Sequence, residues 1–173
     1  ERVTLTAGEL GLGFDRRTGQ LRRFGLGQAA AERNANGLLL REGLACRPVE
    51  VKSAGEWRET PSALAFRQEF ANGVRADQRV SAVGGVVRWA VTLENRSDQE
   101  RWLEPVLSLA LPFGPVKEFF DGSAVQTALP FPRRRDAYVS TMPFAAASGQ
   151  AASVGLGLDP SQAYNALVAE WVP

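Results

Sequence analysis

Trp102 and Glu104 lie two residues apart in the run RWLEPVLSLALP, whose leucines at 103, 107, 109 and 111 keep the opposite parity. Successive side chains of a strand point to opposite faces of its sheet. The spacing therefore turns Trp102, Glu104 and Ser108 outward and the leucines toward a core. An outward indole can stack on the C–H face of a sugar ring while a carboxylate beside it takes up hydroxyls, so the pair is a candidate saccharide platform. A sheet edge or a contact with a neighbouring domain would use an exposed tryptophan equally well. Further along, Arg133-Arg134-Arg135-Asp136 precedes Tyr138. The planar guanidinium forks of such a run fit an acidic sugar or another carboxylate, against the plainer reading of a solvated charged loop. Trp102, Glu104, Arg134, Asp136 and Tyr138 are thus the expected carbohydrate-binding residues.

Composition removes many other chemistries. Histidine is absent, which excludes hydrolases that rely on an imidazole base and zinc sites built with histidine. Cys46 is the one cysteine; it can form no internal disulfide and is expected to be a small buried hydrophobe. Glu118 and Asp121-Gly122 fall in an irregular stretch, with no spacing that would define an acid/base pair. No catalytic residue, metal site or cofactor is expected. A formal net charge of +1 creates no field suited to nucleic acid, and no apolar run approaches the ~20 residues of a membrane-spanning helix. Trp89 shares its parity with Val87, Val91 and Leu93 and reads as core. Trp57 and Trp171, beside a loop and the C-terminus, suit docking to a further domain as well as ligand contact.

The segment that must position the Trp102 pair is Ala63 to Pro112. It reads as four strands in an antiparallel meander, ALAFRQEF, VRADQRVSAV, VVRWAVTLEN and RWLEPVLSLALP. Leu64, Phe66 and Phe70 oppose Arg67 and Glu69, and Val87, Trp89, Val91 and Leu93 oppose Arg88, Thr92 and Glu94, the period of two that half-buried strands require. Asn72-Gly73, Gly84-Gly85 and Asn95 to Asp98 supply the turns. Upstream, Val3/Leu5 and Leu10/Leu12/Phe14 form two short runs, Asp15 to Gly19 a turn, and the next strand carries a bulge near Arg22-Arg23. Gln28 to Ala35 reads as a loop with a helical turn. Residues 37–40 and 45–53 are expected strands, with Pro48 on an edge and a loop from Ser53 to Ser62. Phe113 to Pro132 is irregular and long enough to face a partner, and three strands follow at 134–147, 151–158 and 163–172. The expected fold is all-β, a large antiparallel two-sheet β-sandwich in a single domain over residues 1–173. Without an initial methionine, and ending directly after a strand-like run, the chain reads as a fragment of a longer multidomain protein.

The opening VTLTAGELGLGFDRRTGQLRRFGLG resembles the phrase that begins β-supersandwich domains of the galactose-mutarotase-like fold group: strand, Gly-centred turn, Leu-x-Leu-x-Phe-Asp, Thr-Gly, Leu. VRWAVTLENRSDQERWLEPVLSLALP and VSTMPFAAASGQAASVGLGLDP add to the likeness. The resemblance implies an accessory N-terminal supersandwich domain of a multidomain, bacterial carbohydrate-active protein such as a glycoside hydrolase or polysaccharide lyase. It implies as partners a poly- or oligosaccharide and an adjacent domain of the same chain, and it prefers an exported or cell-envelope location over the cytoplasm. No catalytic residue carries across, because mutarotases of this group use histidines with a carboxylate. The alternative is a structural or protein-interaction β-sandwich with no sugar site, and an enzyme working with carboxylates and arginines ranks below both.

Overall fold

Alternating apolar residues make the first four strands: β1 (Arg2–Ala7), β2 (Leu10–Asp15), β3 (Leu21–Leu26) and the long β4 (Ala29–Glu42), which follow one another as antiparallel neighbours. The computed structural model describes residues 1–27, 29–108, 116–120, 124–127, 134–137, 144–149, 153–157 and 166–169, with the backbone path alone at 29–36, 126, 134–137, 144–145 and 166–169. Among these residues there are sixteen strands and no helix, hence no helix long and apolar enough to cross a membrane. Two compact units divide the chain, Glu1–Pro112 and Phe113–Pro173.

In the first unit, β10 (Leu103–Ser108) closes the first sheet by pairing with the Gly37–Glu42 end of β4, and β5 (Arg47–Val49) lies along the other edge of that end. The second sheet is a meander of β6 (Val51–Thr60), β7 (Ala63–Phe70), β8 (Val74–Val83) and β9 (Val86–Asn95). The sheets pack face to face as a sandwich. Val3, Leu5, Leu12, Phe14, Leu21 and Phe24 of the first meet Leu64, Phe66, Val80 and Ala82 of the second, and Leu38 and Leu40 meet Phe70, Val74 and Ala76. Phe14 sets its ring 5.5 Å from Phe66 and edge-on to Trp89 at 5.4 Å. Trp89, half-buried, packs against this cluster and so acts as core, as its parity predicts. The expected bulge is also present, as a register shift between Leu21 and Arg23.

Elsewhere the structure departs from the sequence reading. The fourth run does not extend the meander: Asn95 accepts hydrogen bonds from the Ser97 amide (3.0 Å) and hydroxyl (2.7 Å), which bends the chain off the second sheet, and β10 pairs with β4 instead. Residues 29–35 are strand rather than helical turn, because the free edge of β3 offers ladder partners that an isolated turn lacks; Gln28 lies outside the described residues. The expected loop at Ser53 to Ser62 is mostly β6, whose two register shifts hide its period. The second shift, around Glu56 at φ 54°, turns Trp57 inward to stack on Phe66 at 4.4 Å, so Trp57 is structural. Cys46 is not buried but exposed, at φ 50° in the turn between β4 and β5.

In the second unit, β12 (Val125–Gln126), β11 (Glu118–Phe120), β14 (Phe144–Ser148) and β15 (Ser153–Gly157) form an antiparallel sheet in that order, and β13 (Arg134–Ala137) pairs with β16 (Ala166–Ala169). The stretch read as irregular therefore holds β11 and β12. The run expected as one strand over 134–147 supplies β13 and β14, which belong to different sheets.

Candidate functional site

Trp102 ends the connection from β9 and stands immediately before β10, 73% exposed. Its backbone, by contrast, is tied down. The Gly43 amide donates to the Trp102 carbonyl at 2.9 Å. The preceding Arg101 is gripped from two sides: its Nε donates to Ser97 Oγ at 2.9 Å and its Nη1 pairs with Glu42, which also accepts from Asn72 Nδ2 at 3.2 Å. The hydrogen bond from Arg101, with that from Asn72, holds the Glu42 carboxyl below its ordinary pKa, against the opposing effect of burial. A free indole on a fixed backbone is a preorganised surface, since little main-chain freedom is lost when something docks on it.

Glu104 follows in β10 on the parity expected from the sequence. Leu103, on the other parity, packs into the core. Across the ladder Glu104 faces Arg41, and the side chains form an ion pair with 3.6 Å between Arg41 Nη1 and Glu104 Oε2. Oε2, the oxygen turned toward Arg41, is shielded from solvent and accepts no hydrogen bond. Arg41 was not legible as a site residue, because its register against β10 is set by a pairing distant in sequence. Leu44, 95% exposed, sits in the turn whose Gly43 binds Trp102. An open cleft of about 710 Å³ begins at the same turn, lined among others by Glu42, Leu44, Arg47, Pro48 and Asn72.

The remaining expected residues lie in the second unit. Arg134 and Asp136 are in β13, two apart and therefore on one face of it, opposite Ala169 and Leu167 in the ladder; Tyr138 lies outside the described residues, as do Asp121, Gly122 and Trp171. Glu118 is exposed in β11. Among the described residues no group of three or more His, Cys, Asp or Glu side chains is arranged to hold a metal ion.

Two polar constellations were missed by sequence reasoning. Inside the sandwich, the Trp89 indole N–H donates to Gln78 Oε1 (2.8 Å), Gln78 Nε2 donates to Gln68 Oε1, and Gln68 Nε2 donates to the Thr18 carbonyl (2.5 Å). An indole can only donate and a carbonyl only accept, so both amide orientations are fixed. The signal was present: Gln68 and Gln78 occupy the parity of Leu64, Phe66 and Phe70 and of Val74, Ala76 and Val80. On the outside of the second sheet, Glu56, Arg67, Asp77, Arg75 and Glu94 make a ladder of ion pairs across four strands, with Arg67–Asp77 at 2.8 Å and Arg75–Glu94 at 2.5 Å.

The Phe-Asp-x-x-Thr-Gly phrase has a structural role here. Asp15 Oδ1 accepts from the Arg17 and Thr18 amides, both at 2.9 Å, and from the Thr18 hydroxyl at 3.2 Å. Burial pushes the Asp15 carboxyl up, but these hydrogen bonds and the Arg22 charge outweigh it and leave its pKa lowered. Gly19 follows at φ +66°, where a Cβ would meet the Phe66 ring at 2.7 Å, so glycine alone suits the position. The turn then clasps the second sheet: Trp57 Nε1 donates to the Arg16 carbonyl (3.0 Å), the Ala54 amide to that of Arg17 (2.6 Å), and Arg16 Nη2 pairs with Glu59 (2.8 Å).

No family model matches the chain, and neither does any curated protein or solved structure.

Proposed function

We propose that the chain is a non-catalytic accessory β-sandwich that holds a poly- or oligosaccharide against Trp102 and positions it for an adjacent domain. The observation that carries this reading is the contrast at Trp102, a residue 73% exposed whose carbonyl is bound by Gly43 and whose neighbour Arg101 is locked to Glu42 and Ser97. Such a surface suits the flat C–H face of a pyranose. The half-exposed Arg41–Glu104 pair one strand-repeat further on offers guanidinium donors and a carboxylate to ring hydroxyls. The likeness of the opening hairpin to supersandwich domains of the galactose-mutarotase-like group supports the same context, and so does the all-β sandwich itself. Arg134 and Asp136, sharing a face of β13, are candidates for a second contact with an acidic sugar.

Affinity gel electrophoresis against a panel of neutral and acidic polysaccharides tests the proposal. Retention that is lost in Trp102→Ala and kept in Trp89→Phe supports a sugar platform; no retention on any polysaccharide overturns it. A second reading, docking of a protein partner, is favoured by one observation, the 95% exposed Leu44 on the turn that binds Trp102. Leu44→Asp separates the two, because it breaks an apolar protein contact and leaves ring stacking at Trp102 in place.

A further inference from the structure

We infer that β9 is a docking edge for a second copy of this chain, so that two second sheets join into one continuous antiparallel sheet. Among the described residues β9 pairs with β8 alone, through ten consecutive register partners without a bulge. Long, regular edges without protection invite another strand, and proteins usually blunt them. The other edges of the two sandwich sheets are interrupted or shorter: β6 has two register shifts, β10 carries Pro105, β5 is three residues long with Pro48 at its centre, and β1 has six residues against the ten of β9. β9 has no proline, lysine or bulge.

The hydrogen-bonding phase of this edge follows from its turn. Gly84 and Gly85, at φ 59° and 78°, form a two-residue primed turn, which makes Val83–Val86 a hydrogen-bonded pair. Even-numbered residues of β9 therefore bond to β8. The Arg96 amide, donating to the Gly73 carbonyl at 3.1 Å, keeps the same phase at the other end. The N–H and C=O groups of Val87, Trp89, Val91 and Leu93 consequently point to the free edge. Their side chains face the core but stay half-buried, whereas the core-facing positions of β7 and β8 are fully buried. The edge is thus unfinished in both backbone bonding and apolar burial.

Charge selects the partner and the register. An antiparallel β9–β9 pairing centred on Val91 places those outward groups opposite their own counterparts. Trp89 then lies beside Leu93 of the second copy on the core face, and Arg88 opposite its Glu94 on the outer face, twice by symmetry. Arg88 is exposed and forms no ion pair among the described residues, while Glu94 already anchors the ion-pair ladder. Sliding the register two residues one way sets Arg88 against Arg96 of the second copy, and the other way sets it against Thr92, so the complementary arrangement is the Val91-centred one.

Sedimentation velocity of the full chain over a concentration series tests this, with Val91→Pro as the main variant. The Val91 N–H points away from β8, so proline there removes an edge donor without breaking a ladder bond. The expected result is a monomer–dimer equilibrium that Val91→Pro and Arg88→Glu both shift to monomer and Arg88→Lys preserves, with circular dichroism unchanged. Register is read in Cys46→Ser/Ala90→Cys/Thr92→Cys, where oxidation should give a covalent dimer through 90 and 92. A chain monomeric at every concentration, a dimer indifferent to Val91→Pro and Arg88→Glu, or an Ala90–Thr92 pair that fails to cross-link in a dimeric sample overturns the inference.

Discussion

Gln68 and Gln78 are the residues whose placement most constrains the core, since both are almost wholly buried and every hydrogen bond they make fixes the next. Gln78→Leu should cost about 1–3 kcal/mol, because it strands the Trp89 indole N–H and the Gln68 carbonyl away from water. Urea unfolding monitored by tryptophan fluorescence measures that loss. A strand parity assigns such positions to the inside whatever their polarity, and the sequence reading, which followed only the apolar residues of that parity, passed over them. At Trp102 the same parity argument succeeded: an exposed indole and an outward Glu104 were legible, while the Glu42 grip on Arg101 and the Arg41 partner of Glu104 were not, as both depend on residues more than half the unit away in sequence. Acid should act through Asp15 and Glu42. Both carboxyls have lowered pKa values in the folded chain, so their stabilisation is complete above the unfolded carboxylate range near pH 4 and is lost as pH falls through the folded values. A melting temperature flat from pH 7 to about pH 5 and falling below about pH 4 is the expected profile, with the acid limb reduced in Asp15→Asn.

Among the elements, the turn from β2 to β3 and strand β6 act as a clasp between the two sheets. Trp57 stacks on Phe66 at 4.4 Å and donates to the Arg16 carbonyl. Trp57→Phe keeps the stack and loses the hydrogen bond, at about 1 kcal/mol; Trp57→Ala loses both, at roughly 2–4 kcal/mol for a half-buried ring. Thermal denaturation of the pair should rank them in that order, and equal losses would show that the stack contributes nothing. Elements with uninterrupted alternation, β7 to β9, were readable from the sequence to within a residue or two. β6 was not, because its bulges break the period where Gly55 and Glu56 bend the chain. The assignment of β10 to the first sheet was equally hidden: alternation says which face a strand buries but not which neighbour it pairs with, and here the Asn95–Ser97 bend decides.

For the whole molecule, Glu1–Pro112 contains both sheets of the sandwich and both of its core clusters. A fragment of these residues should fold by itself, with a single cooperative urea transition and protected amides in β7 and β8; a fragment without a cooperative transition would show that the second unit is needed. The account of function turns on one side chain within that sandwich, and its most direct test is an NMR titration of the indole N–H resonances, four in the full chain, with oligosaccharides. The Trp102 signal should exchange rapidly with water and move in a saturable manner with at least one glycan, while those of Trp57 and Trp89, bonded to Arg16 and Gln78, stay in place. A Trp102 signal unmoved by every saccharide, or one protected from solvent while that of Trp89 exchanges freely, would contradict it.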